Sequence, residues 1–69
     1  MKLEVGKWYL SRGGKRVKII YDVMHSSWPF EGTNGKTYLK SGHWKSELHD
    51  TMHDLIKELT PEEYPEYYI

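Results

Sequence analysis

Apolar and polar residues alternate through the first two thirds of the chain and change period near its end. In "GKWYLSRGGKRVKII", residues 6–20, two short runs flank Gly13-Gly14. Val17, Ile19, Tyr21 and Val23 alternate with Lys18, Ile20 and Asp22, the period-2 pattern of a strand with one apolar face. A first strand over Lys7–Ser11 places Trp8 and Leu10 on one face and Lys7, Tyr9 and Ser11 on the other. A second runs over Arg16–Val23. Gly13-Gly14 fits a two-residue type I′ turn between them, because glycine tolerates positive φ at both central positions.

The next segment continues in the same style. Pro29 cannot donate a ladder hydrogen bond, so Trp28–Glu31 reads as an edge strand. Asn34-Gly35 is a strong hairpin signal and joins a strand ending near Thr33 to one beginning near Lys36. Ser41-Gly42 marks another turn, with a short fifth strand over His43–Lys45. After Ser46 the period changes. Met52, Leu55, Ile56 and Leu59 stand at i, i+3, i+4 and i+7, one stripe of a helix. Thr51 with Asp54 resembles a capping box at its start, and Thr60-Pro61 is a plausible stop. The last stretch, "TPEEYPEYYI", has two prolines and predicts an extended tail. No internal repeat or linker is visible.

Composition supports a sheet. The 69 residues make one domain, and a chain this short buries only about 60 % of its unfolded surface. Ten aromatics compensate with large apolar areas, and the absence of alanine disfavours a helix bundle. There is no cysteine, which excludes disulfides and thiolate metal sites and favours an intracellular setting. No apolar run approaches the roughly 20 residues of a membrane span, and "MKLEVGKWYL" lacks a signal-peptide core. These features predict a cytoplasmic protein without membrane contact.

Net charge is zero but unevenly placed. Residues 1–46 hold nine Lys/Arg against Glu4, Asp22 and Glu31, whereas residues 47–69 hold Lys57 against seven acids. Either the acidic end folds back on the basic sheet, or two surfaces of opposite sign meet different partners.

"GKWYLSRGGKRVKI", then "WPFEG…YLKSGHW", then "MHDLI" resemble a group of small, uncharacterised phage-encoded proteins. In that group a "GKyyRtRdGrkv" hairpin is followed by "yPf.G", by a Tyr strand ending in "dG.y", and by an "hDLi/v" closing segment. The resemblance covers residues 5 to about 57, and Gly13 stands where the group usually has Asp. It implies a phage or prophage origin and a compact β-rich domain, located in a bacterial host cell. It supplies no catalytic residues.

Several side-chain groups are candidates for chemistry. His49 and His53 would share one face of a helix, as two metal-bound imidazoles must, but the glutamate of a zinc protease is missing beside the first. The ordinary alternative is surface or cap histidines. Glu47, Asp50 and Asp54 form a carboxylate group, whose common use is complementing a helix dipole. No metal, cofactor or catalytic residue is assigned. Arg12, Lys15, Arg16 and Lys18 crowd one turn, and Lys36, Lys40 and Lys45 join them on the sheet. With Tyr9, Tyr38 and Trp28 as stacking platforms they would bind single-stranded nucleic acid. Lysines also guard exposed sheet edges. In the tail, Glu62, Glu63 and Glu66 interleave with Tyr64, Tyr67 and Tyr68. Tyrosines with acids suit a basic protein surface, or the tyrosines dock on the sheet and complete the core.

The expected architecture is a small α+β domain, mainly β, over residues 1–60. It is an antiparallel meander of four to five strands, SH3-like as one form of it, with one short C-terminal helix. Residues 61–69 form an acidic, Tyr-rich tail. The expected core is Trp8, Leu10, Val17, Ile19, Tyr21, Phe30, Leu39, Leu55, Ile56 and Leu59. The expected function is a non-catalytic phage accessory protein that binds and modulates a host protein in defence, transcription or replication. The alternative is a small nucleic-acid-binding β module that uses the basic hairpin.

Overall fold

The computed structural model describes residues 1–65. Five antiparallel strands form one curled sheet: β1 (Trp8–Ser11), β2 (Arg16–Asp22), β3 (Phe30–Gly32), β4 (Thr37–Tyr38) and β5 (Leu55–Glu58). Their order is β4-β3-β2-β1-β5, a meander whose fifth strand returns to the first. A 3-10 turn over Pro61–Glu63 follows. Among the described residues no helix is long and apolar enough to cross a membrane.

The long strand β2 explains the curl. Its first half pairs with β1, with Tyr9 opposite Val17 and Trp8 opposite Lys18. Its second half pairs with β3, with Tyr21 opposite Glu31 and Asp22 opposite Phe30. An irregularity between Ile19 and Tyr21 separates the halves, and such a bulge bends and twists its strand. A backbone bond from Leu55 N to the Gly42 carbonyl, at 2.9 Å, bridges the open side of the half-barrel.

The segment expected to be a helix is the edge strand β5. Leu55–Glu58 pairs with β1, with Ser11 opposite Leu55 and Leu10 opposite Lys57. A stripe of eight residues makes barely two turns, and helices this short are marginal without tertiary support. The free edge of β1 offers a ladder instead. The expected cap residues do bond, but they close a turn: Asp54 N donates to the Thr51 carbonyl at 3.2 Å. Met52 and Ile56 consequently lie exposed. The short strand expected over His43–Lys45 is also absent. His43 closes a hairpin loop by accepting from Leu39 N, and Trp44 packs half-buried on the core.

The core holds Leu3, Tyr9, Val17, Ile19, Phe30, Tyr38 and Leu55. Leu59 is buried but stands outside this cluster. Tyr9, not Trp8 or Leu10, is the inward residue of β1. Its hydroxyl accepts from Glu4 N at 2.8 Å, so a polar end enters the core satisfied. Tyr21 is 61 % exposed, because the bulge breaks the alternation that puts Val17 and Ile19 inside. Leu39 is half-buried only.

Gly32 lies where β3 meets this core. A Cβ there would come 2.5 Å from Val17 Cγ1, so only glycine fits without displacement.

Candidate binding cleft

Three hairpin loops share one construction. In the first, Gly14 N donates to the Ser11 carbonyl at 2.9 Å and Ser11 N to the Lys15 carbonyl at 2.8 Å. In the second, Gly35 N donates to the Gly32 carbonyl and Gly32 N to the Lys36 carbonyl. In the third, Gly42 N donates to the Leu39 carbonyl and Leu39 N to the His43 carbonyl. Each carries positive φ only at its last residue: 87° at Gly14, 79° at Gly35 and 100° at Gly42. That is a three-residue loop ending in a G1 bulge, not the type I′ turn expected at Gly13-Gly14.

The construction matters because it repeats a side chain. The residue after the left-handed glycine is Lys15 in the first loop and Lys36 in the second. Both line one cleft of about 460 Å³, which also takes in Arg16, Val17, Tyr38 and Met52. None of its lining residues is acidic. Among the described residues neither Lys15 nor Arg16 has an acidic partner. The Lys36 ammonium lies 5.1 Å from the centre of the Trp44 ring, and Lys45 lies 4.8 Å from it. A cation over a tryptophan face is attracted by the ring quadrupole. Tyr38 is fully buried below, its hydroxyl accepting from Asn34 Nδ2 at 2.8 Å. Burial pushes the Tyr38 phenol above its ordinary range, with the Asn34 bond opposing in part, so it stays neutral at any physiological pH.

One wall of the cleft is the segment Met52–His53, and a buried carboxylate fixes it. Asp54 is 2 % exposed. Its Oδ1 accepts from Trp44 N at 3.0 Å and from Thr51 Oγ1 at 2.8 Å, and its Oδ2 accepts from Thr51 N at 2.8 Å. Burial works to raise the carboxyl, but these three bonds outweigh it and hold the group below its usual value. Arg12 ties the wall to the first hairpin. Its backbone N donates to the Asp54 carbonyl at 2.8 Å, and its Nε to the Thr51 carbonyl at 3.2 Å. The guanidinium also lies 3.6 Å from Asp50 and 3.8 Å from Asp54. Gly13 N donates to the Met52 carbonyl at 2.9 Å.

No family model, curated protein or solved structure matches this chain.

The basic residues expected to act together therefore divide. Lys15, Arg16 and Lys36 gather at the cleft. Arg12 is committed to the carboxylates of the 50s segment. Lys18 lies opposite Trp8 on the outer face, away from the cleft lining. Lys40 lines a separate depression beside Asp22 and Met24. Of the expected stacking platforms, Tyr9 and Tyr38 are core residues, and Trp28 is partly exposed with its indole N–H on the Lys45 carbonyl.

In the tail, Glu63 accepts from Thr60 N at 2.9 Å and Thr60 Oγ1 at 3.0 Å, and faces Lys57 at 3.5 Å. Glu62 is exposed and Tyr64 half-buried. Glu66, Tyr67 and Tyr68 lie outside the described residues. His49 and His53, weighed as two ligands on one helix face, do not lie on a helix. Among the described residues the group with metal-ligand spacing is His43, Asp50 and Asp54, within 4.8 Å. Arg12 already serves both of those carboxylates, and a guanidinium there repels a cation. His53 instead stands edge-on to Trp44, ring centres 4.5 Å apart.

The signal that locates the cleft was present in the chain as a repeated Gly-Lys step, Gly14-Lys15 and Gly35-Lys36. It has meaning only once both loops are known to share one geometry. Met52 and His53 carried no such signal, because the helical pattern placed them elsewhere.

Proposed function

We propose that the protein is a non-catalytic binding module of phage or prophage origin. It engages a host macromolecule through the cleft between its first two hairpin loops, and that macromolecule is nucleic acid. The supporting observation is the placement of Lys15, Arg16 and Lys36 around an apolar floor with no acid in the lining. No salt bridge to an acid ties up these three cations among the described residues, which leaves their charge available to phosphates, whose neutralisation releases counterions.

The test is fluorescence anisotropy with labelled oligonucleotides across a salt series. Affinity should fall steeply with salt. Lys15, Arg16 and Lys36 changed together to Ala should reduce the salt slope by about 2–3 phosphate equivalents. Lys18→Ala and Lys40→Ala together should change the slope by less than about one. Equal slopes for the cleft variant and the wild type refute this site.

A second reading, binding to a host protein, has its own support. Tyr21, Val23, Met24 and Trp28 are exposed large apolar residues close together in the chain. Exposed apolar side chains that lie contiguous on a surface mark protein interfaces. Affinity capture from host lysate with nuclease separates the two readings. A stoichiometric protein retained after nuclease, and lost with Met24→Lys, supports the second. Nucleic acid alone, lost at high salt, supports the first.

A further inference from the structure

We infer that the cleft takes a single unpaired base of the bound strand, so that the nucleic acid it recognises is single-stranded. The inference rests on the nucleic-acid reading above and narrows it to one occupant.

Shape decides against a duplex. Reading a duplex groove requires an element that protrudes into it. The surface here is concave, set between the Arg12–Lys15 and Thr33–Lys36 loops and the Met52–His53 wall. Stacked, paired bases cannot enter a concavity without first leaving the helix. An unpaired base can. Its faces are apolar, and the largely exposed Met52 is the apolar side chain that meets them, with Val17 and Tyr38 buried beneath the cleft. A thioether packs well against an aromatic ring. Lys15 and Lys36 come from two different loops, so the phosphates flanking an inserted base meet separate cations.

Polar groups at the floor are already engaged. Asn34 donates to Tyr38 and accepts from Lys36 N at 3.1 Å, and Ser11 Oγ accepts from Lys15 N at 3.0 Å. These bonds occupy one N–H of the Asn34 amide and one lone pair of each acceptor. The inference concerns the insertion of an unstacked base and not the identity of that base.

Three labelled probes of equal length test this: an oligothymidylate, the same backbone with abasic sites, and a duplex. Each is run in ribose and deoxyribose form. The oligothymidylate should bind about 10-fold or more tightly than the abasic strand, as expected where one base packs on protein, and more tightly than the duplex. Met52→Ala should weaken the oligothymidylate and leave the abasic strand unchanged. Met52 is 69 % exposed, so its truncation leaves the core intact. Equal affinity for abasic and normal strands, or a duplex preferred at equal salt, overturns the base-insertion inference while leaving nucleic-acid binding standing. Failure of all three probes to bind at low salt removes the nucleic-acid reading and the inference with it.

Discussion

Replacing Asp54 by Asn tests whether a buried carboxylate holds the wall of the cleft. The change keeps the side-chain shape. With the amide oxygen at the Oδ1 position, the bonds from Trp44 N and Thr51 Oγ1 survive. The amide nitrogen then faces Thr51 N, 2.8 Å away in the native structure, and donor meets donor. The opposite rotamer keeps the bond from Thr51 N and lets the Thr51 hydroxyl turn to accept, but it sets the amide nitrogen against Trp44 N, so one bond is lost either way. A hydrogen bond to a charged group contributes about 1.5–3 kcal/mol, and stranding a buried N–H adds to the loss. The expected cost is therefore about 2–3 kcal/mol. A domain of this size has roughly 3–10 kcal/mol in total, so the effect is large. It corresponds to a fall in Tm of roughly 10–20 °C. Urea unfolding followed by tryptophan fluorescence measures it directly. Acid adds a second signature. The folded state holds the Asp54 carboxyl below its ordinary value, so the unfolded chain binds that proton more tightly. The Asp54 contribution is complete above about pH 4 and fades as pH falls through the folded value. Glu4, lowered chiefly by its bond to Lys7, and Glu63, lowered chiefly by the Thr60 backbone bond, shift in the same direction. The informative quantity is thus the difference between wild type and Asp54→Asn, which should shrink below pH 4. A variant within about 0.5 kcal/mol of wild type at pH 7, the usual range of an inconsequential surface change, refutes the role given to Asp54. So does a difference independent of pH.

The remaining predictions concern backbone and core. Gly32→Ala forces a methyl against Val17 Cγ1 and should cost about 1–3 kcal/mol in urea unfolding. Gly42→Ala should cost more, roughly 2–5 kcal/mol, because its Cβ meets the Leu55 carbonyl at 2.5 Å and its φ is 100°. Amide exchange at Leu55 should accelerate in that variant if the Gly42–Leu55 bond closes the half-barrel. Tyr9→Phe removes the acceptor of Glu4 N and should cost about 1 kcal/mol, visible as a lower urea midpoint at unchanged slope. Gly6→Ala meets no steric neighbour, so its cost should reflect its φ of 90° alone, near 1 kcal/mol.

The turns were legible and the register was not, for one reason. Gly13-Gly14 reads most simply as a two-residue loop, and that loop puts Leu10 opposite Val17. The actual loop is Arg12-Gly13-Gly14, and it puts Tyr9 opposite Val17. A one-residue slip turns every side chain of a strand to the other face. The same single residue thus accounts for Trp8 and Leu10 standing outside and Tyr9 inside. Loop type depends on whether φ is positive at one glycine or two, and composition does not distinguish these. The helical spacing of Met52, Leu55, Ile56 and Leu59 gives way for a different cause. The spacing is real, but the competing ladder on β1 lies more than forty residues away in sequence. Local pattern carries no trace of such a partner. The cleft inherits both limits: its cations stood out as a cluster, while the wall opposite them came from the segment whose structure was misassigned.

The division of charge along the chain also takes a definite meaning in three dimensions. Zero net charge weighs against nucleic-acid binding if charge is averaged over the molecule. It is not averaged. Acids of the second half return to β1, where Glu58 meets Lys7 at 3.4 Å and Asp50 and Asp54 meet Arg12. Glu63 meets Lys57 at 3.5 Å within the acidic half itself. Those pairs engage cations flanking β1 and on β5 and leave Lys15 and Arg16 untouched. At physiological salt a charge is felt over about 8 Å, so what a phosphate meets is the local set. Reversing one of the paired acids tests this. Glu58→Lys makes the net charge more positive, yet it leaves the cleft lining as it is. It should raise oligonucleotide affinity by less than threefold, whereas Lys15→Glu, equal in size and opposite in sign, should lower it by about tenfold or more, the order expected where phosphate contacts are lost. If the two substitutions shift affinity by equal and opposite factors, net charge governs binding and the cleft does not.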